Sequence, residues 1–227
     1  MRSHCIRPGR ASTIGTRIWP LTSDCWRCFD VSGQAPLVDV LHAAARVLAQ
    51  AKTPWYVFGA QAATVWGVPR MSADVDLTVR VALDRVSELA EAMTAAGFRL
   101  RVGDADEFVG RTRVLPFVHV PTGLPVDVVL SGPGIEDEFH RRAVFVDLAG
   151  VQIPFISPED LIVTKVLAGR PKDIEDVGGV LRIRGGELDL AYVRSTLELL
   201  SLALSQSDLV PALDAALAAA RGGSKQP

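Results

Sequence analysis

Cysteine is scarce and confined to one end: the 227-residue chain carries three, Cys5, Cys25 and Cys28. That distribution excludes a disulfide framework and fits a reducing, cytoplasmic compartment. Cys25-Trp26-Arg27-Cys28 has the spacing of half a zinc site, yet no second Cys-x-x-Cys and no paired histidines follow to complete four ligands. Aromatic residues make up only 6% of the chain, and the four tryptophans lack the regular spacing of a base-stacking platform. An excess of either charge is missing too. The 24 Lys plus Arg against 26 Asp plus Glu leave a formal net charge of -2, which excludes a global basic footprint but leaves a local basic patch open. No apolar run approaches the roughly 20 residues that span a bilayer, so no membrane partner is expected. Gly-x-x-x-x-Gly-Lys-Ser/Thr, His-Glu-x-x-His and Gly-x-Ser-x-Gly are all absent, which argues against the matching ATPase, zinc-protease and hydrolase chemistries. There is no internal repeat and no sustained heptad.

What is present begins at about residue 34. Residues 1–33 have scattered arginines, Ser and Thr, no acid before Asp24 and no periodic apolar face. Their composition overlaps with an organellar transit peptide but lacks the apolar centre of a secretory signal, and an unstructured extension is expected. From Pro36, the residues Leu37, Val40, Leu41, Ala44, Val47 and Leu48 share one face of a helix predicted to end near Gln50. A strand follows at Trp55–Phe58, then a glycine turn at Gly59 and a short helix. Leu83, Val86, Leu89, Ala90 and Met93 mark another helix, closed by Gly97.

The middle of the chain reads as β-rich. Strands are predicted over 98–102, 113–120, 124–130, 143–148 and 151–156, with Ala149-Gly150 turning a hairpin between the last two. Ser157-Pro158-Glu159-Asp160 then combines a capping serine, proline at the first helical position and acids in the first turn. Further helices are expected over 172–183, 189–202 and 208–220, before a polar tail at 222–227. The expected organisation is an α+β fold, a mixed sheet flanked by helices. A core spans 34–156 and a helical region 157–221.

Three acids carry the chemistry. In Asp74-Val75-Asp76 an apolar residue separates two carboxylates, so a strand sends both to one face, where they suit a divalent metal. Asp127 stands alone in the apolar run Leu124-Pro125-Val126-Asp127-Val128-Val129-Leu130. Burying it there is costly without a cation, a donor or an exposed edge. If the two strands are neighbours, three carboxylates converge, enough to bridge two magnesium ions about 3.5 to 4 Å apart. Gly59 allows close backbone approach to a ligand, and the amides opening the next helix suit phosphate. His119 lies in an apolar strand and reads as a satisfied structural histidine.

The ordered combination Gly59-Ala60, Gly67-Val68-Pro69-Arg70-Met71-Ser72-Ala73-Asp74-Val75-Asp76-Leu77 and Val126-Asp127-Val128 resembles the nucleotidyltransferase superfamily of DNA polymerase beta. It is closer to the small AbiEii-like nucleotidyltransferases of toxin–antitoxin systems, over roughly residues 37–183. The resemblance implies transfer of a nucleoside monophosphate from an NTP to a hydroxyl on RNA, such as tRNA, or on a protein. It implies a cognate toxin or antitoxin partner, and Mg2+ or Mn2+ held by Asp74, Asp76 and Asp127, the last also activating the hydroxyl. Gly59 and the amide of Ala60 would face phosphates, with Gln61, Arg70 and Lys165 as further phosphate contacts. Lys172, Asp173 and Asp176, in Arg170-Pro171-Lys172-Asp173-Ile174-Glu175-Asp176, resemble an accessory Lys-Asp element. Many members carry Gly-Ser or Gly-Gly where this chain has Gly59-Ala60, which removes a donor. Two alternatives stay open. One, which rests on Ala60, is a nucleotidyltransferase-fold binding module with weak or no catalysis, an antitoxin or regulatory partner. The other, independent of Ala60 and sharing the same core, is transfer to a small molecule such as an aminoglycoside.

Overall fold

The computed structural model describes residues 35–69 and 72–222; the cysteines, Arg70 and residues 223–227 lie outside that range. Its centre is a mixed seven-stranded sheet in the order β3-β4-β5-β2-β1-β7-β6. The strands are β1 (Trp55–Val57), β2 (Val75–Val79), β3 (Phe98–Leu100), β4 (Val114–His119), β5 (Pro125–Leu130), β6 (Val144–Leu148) and β7 (Val151–Phe155). β2 runs parallel to β5 and antiparallel to β1, while β6 and β7 form the hairpin expected at Ala149-Gly150. The α+β expectation is met.

Helix α1 (Ala35–Gln50) buries Val40, Leu41, Ala44, Val47 and Leu48, the stripe its spacing predicts. Helix α2 (Gly59–Val65) follows β1 at once, and α3 (Val86–Ala95) buries Val86, Leu89, Ala90 and Met93. Two helices lie in the stretch expected to be β-rich: α4 (Ala105–Thr112) and α5 (Ile135–Arg142). Each fully buries a single residue, Val109 and Phe139 respectively, so few apolar positions mark either helix in the sequence.

Helices α6 (Pro158–Ala168), α7 (Pro171–Arg184), α8 (Leu190–Leu204) and α9 (Leu209–Gly222) complete the fold. The Ser157 side chain accepts from the amide of Asp160, and Pro158 occupies the first turn, as the sequence predicts. Asp160, fully buried, ties this region to the sheet layer: Arg142 Nε donates to both its oxygens at 3.3 and 3.2 Å, and Tyr192 Oη donates at 2.7 Å. The Arg142 guanidinium also lies over the Tyr192 ring at 3.7 Å. One buried carboxylate thereby joins α5, α6 and α8, and its charge is matched rather than stranded. Among the described residues, no helix is long and apolar enough to cross a membrane.

Candidate active site

The site forms where β1 and β2 meet the turn into α2. Strand alternation sends Asp76 and Thr78 to one face of β2, with Asp74 just ahead of the strand. The parallel pairing of β2 with β5 sets Asp76 opposite Asp127 in register. Ligand oxygens of Asp74, Asp76 and Asp127 all lie within 4.8 Å of one another.

Gly59 is tied to this cluster by space. It has φ +68°, and a Cβ there would lie 2.1 Å from Asp76 Oδ2. Both the left-handed backbone and the close approach require glycine. The amide of Phe58 donates to the Asp76 carbonyl at 3.1 Å, holding the turn against the strand. Ser72 Oγ donates to Asp74 Oδ1 at 2.5 Å, and Gln61 Nε2 donates to the Asp74 main-chain oxygen at 3.3 Å. Gln61 therefore braces the backbone that carries the acids.

A cleft of about 330 Å³ opens beside the acids, lined by Gly59, Ala60, Ser72, Asp74 and Asp76 on one side and by Lys165, Arg170, Lys172 and Asp173 on the other. Lys165 is nearly buried, and its Nζ donates to Asp173 at 3.0 Å and to Asp176 at 2.6 Å. Arg170 Nε donates to the other oxygen of Asp173 at 2.5 Å. Asp173 and Asp176 thus fix two of the cleft's three cations, Lys165 deep and Arg170 at the rim. The sequence reading missed Arg170, Ser72 and Thr164 as lining residues. It also missed Arg101, which is ion-paired with Asp127.

The donor set suits a divalent cation. Burial, then the like charges of Asp74 and Asp127, raise the Asp76 carboxyl from 3.8 to about 6, against the attraction of Lys165 and Arg170. Three hard oxygen ligands with surplus negative charge fit magnesium or manganese far better than a soft metal. Because the folded-state pKa is raised, the contribution of Asp76 to stability is complete below about pH 4 and is lost as pH climbs through 6. Asp76→Asn is expected to stabilise the metal-free protein at pH 7.5 by on the order of 1–2 kcal/mol, discounting the shift for partial exposure. The gain should vanish at pH 4, and Mg2+ should raise the melting temperature of wild type but not of the variant. Melting curves that are identical for the two proteins at every pH would refute the charge crowding.

The geometry defines a class: carboxylates converging beside a glycine turn and a basic cleft make a site for metal-assisted transfer of a phosphorus group. The chain belongs to the family described as nucleotidyltransferase of unknown function (DUF6036), whose model matches residues 35–198. No curated protein sequence matches it. Among solved structures it is similar to the antibiotic-resistance factor ANT(2'')-Ia in solution, with TM-score 0.50 and 16% identity over 74% of this chain and 95% of that one. ANT(2'')-Ia in complex with adenylyl-2''-tobramycin gives TM-score 0.50 and 18% identity over 70% and 95%. An antigenic nucleotidyltransferase-like protein from Paracoccidioides brasiliensis gives TM-score 0.49 and 16% identity over 79% and 92%. The nucleotidyltransferase fold is common to the chain and to ANT(2'')-Ia.

Proposed function

We propose that this protein moves a nucleoside monophosphate from an NTP, such as ATP, to a hydroxyl on RNA or on a protein, releasing pyrophosphate. One observation carries the reading: Asp74, Asp76 and Asp127 converge within 4.8 Å beside the cleft. The acceptor oxygen forms the new bond to the α-phosphorus, and the bridging oxygen to the β-phosphorus leaves with pyrophosphate. Asp127 takes the acceptor proton on a carboxylate oxygen. Asp74 and Asp76 supply the negative charge that, with Asp127, would hold two Mg2+ ions, or Mn2+ in their place. A metal held by these carboxylates would supply neutralisation of charge at phosphorus and orientation of the triphosphate.

The chain's own residues do the rest. Gly59 and Ala60 let the triphosphate lie against backbone, and Lys165, Arg170 and Lys172 face it across the cleft. Arg70, which the sequence resemblance implies as a further phosphate contact, lies outside the described residues. The catalytic core, 34–156, is completed by Lys165 and Arg170 from the helical region, 157–221. The motif order in the sequence, which resembles that of AbiEii-like enzymes, supports a cytoplasmic role in a toxin–antitoxin pair. Purified protein incubated with each α-labelled NTP, Mg2+ and total RNA or lysate is expected to label an RNA or protein band. A parallel lane holds an aminoglycoside, and label appearing there alone would move the acceptor to small molecules. No label in any lane, with Mg2+ or Mn2+, would defeat the proposal.

The ion pairs favour one second reading. Arg101 on Asp127, and Asp173 with Asp176 on Lys165, satisfy these groups without a nucleotide, as a binding module would need. Calorimetry with NTP and Mg2+ separates the two, because such a module holds its partner protein without nucleotide uptake.

A further inference from the structure

The third metal carboxylate is already partnered. Arg101 follows β3, and its amide donates to the Pro116 carbonyl at 2.8 Å, while Pro116 stands opposite Asp127 in the β4–β5 register. Backbone pairing therefore lines Arg101 up with Asp127 and Asp76 across three strands, and the guanidinium reaches Asp127 Oδ1. Neither side chain is sealed off: Arg101 is 39% exposed and Asp127 33%.

We propose that Arg101 is a positioning latch, which neutralises Asp127 while the site is metal-free and must release it when a divalent cation binds. The inference rests on the metal reading given above. Asp127 belongs to the three-carboxylate group, so a cation and the guanidinium compete for the same carboxylate. An exposed pair of this kind is weak and easily screened, so the guanidinium yields to an ion attracted by three carboxylates. Even displaced, a positive charge on this flank opposes the cation, and that opposition is the measurable signature. Arg101 and Asp127 do not line the cleft that holds Lys165 and Arg170, so the latch leaves the triphosphate side untouched. It acts on the carboxylate that takes the acceptor proton.

Mn2+ titration of the nucleotide-free protein, read by electron paramagnetic resonance, tests this without any turnover. R101Q is expected to bind Mn2+ about 5- to 10-fold more tightly than wild type. R101K, which keeps the charge but loses the planar fork, should stay within about 2-fold of wild type. Raising the salt concentration should shrink the difference between wild type and R101Q. Equal affinities in wild type and R101Q would overturn the latch while leaving the metal site standing. No Mn2+ binding by either protein would overturn the metal reading and the latch with it. R101K also guards against misfolding, since its unchanged affinity shows that the loop after β3 tolerates substitution.

Discussion

Asp74→Asn and Asp76→Asn are each expected to lower Mg2+-dependent nucleotidyl transfer by at least about 10³-fold while leaving the fold intact. A tenfold rate change corresponds to about 1.4 kcal/mol of barrier, and a metal that neutralises charge at a reacting phosphorus supplies several kcal/mol. Removing one anionic ligand forfeits much of that stabilisation. The fold survives because asparagine matches aspartate in size and can still accept the Ser72 hydroxyl at position 74. At position 76 it also relieves charge crowding, so loss of rate and gain of stability should appear in one variant. That opposite movement separates a functional carboxylate from a structural one, whose removal lowers both. Labelled transfer to the identified acceptor gives the rate, and circular dichroism gives the fold. Transfer that persists in either variant at more than about a tenth of the wild-type rate would remove that carboxylate from the metal site.

Much of this arrangement is legible in the sequence because alternation and capping are local. Asp74-Val75-Asp76 and Asp127 reveal their faces through period two, and Ser157-Pro158 announces α6 through cap chemistry. The sequence does not reveal that Asp76 stands opposite Asp127, because that register depends on a parallel pairing of β2 with β5 across some fifty residues of chain. Arg101 is hidden for the same reason. An arginine at a strand end looks like any solvated charge until β4 places it beside β5. Lys165 shows the converse: its helix and face are readable, but its two aspartate partners depend on how α6 packs against α7.

The two unforeseen helices left polar signals instead of apolar ones. Asp104 precedes α4, and its side chain accepts from the Glu107 amide, an Asp-x-x-Glu start readable in the sequence. In α5, Glu136, Asp137 and Glu138 open the helix and His140, Arg141 and Arg142 close it, the order that the helix dipole favours. Charge order and caps, weighed equally with apolar period, would have found both helices. Arg142 then gains meaning as the cation that reaches buried Asp160.

Gly59→Ala is expected to destabilise the protein by about 3 kcal/mol and to depress transfer nearly as far as Asp76→Asn does. Two costs combine. An L-residue in the left-handed region loses about 1–2 kcal/mol, and forcing atoms apart in a packed site adds about 1–3 kcal/mol. The clash is specific: the new methyl would meet Asp76 Oδ2 at 2.1 Å and Cγ at 3.0 Å, but Cβ only at 3.3 Å. Asp76→Ala removes the first two atoms, so in that background Gly59→Ala should cost only its backbone share of about 1–2 kcal/mol. Chemical denaturation of wild type, both single variants and the double variant measures the coupling between positions 59 and 76. Strict additivity would mean that the turn and the carboxylate are not in contact, and Gly59 would then owe its identity to backbone conformation alone. A coupling of 1 kcal/mol or more, about the size of one overpacked contact, would show that the glycine serves to leave room for the Asp76 carboxylate.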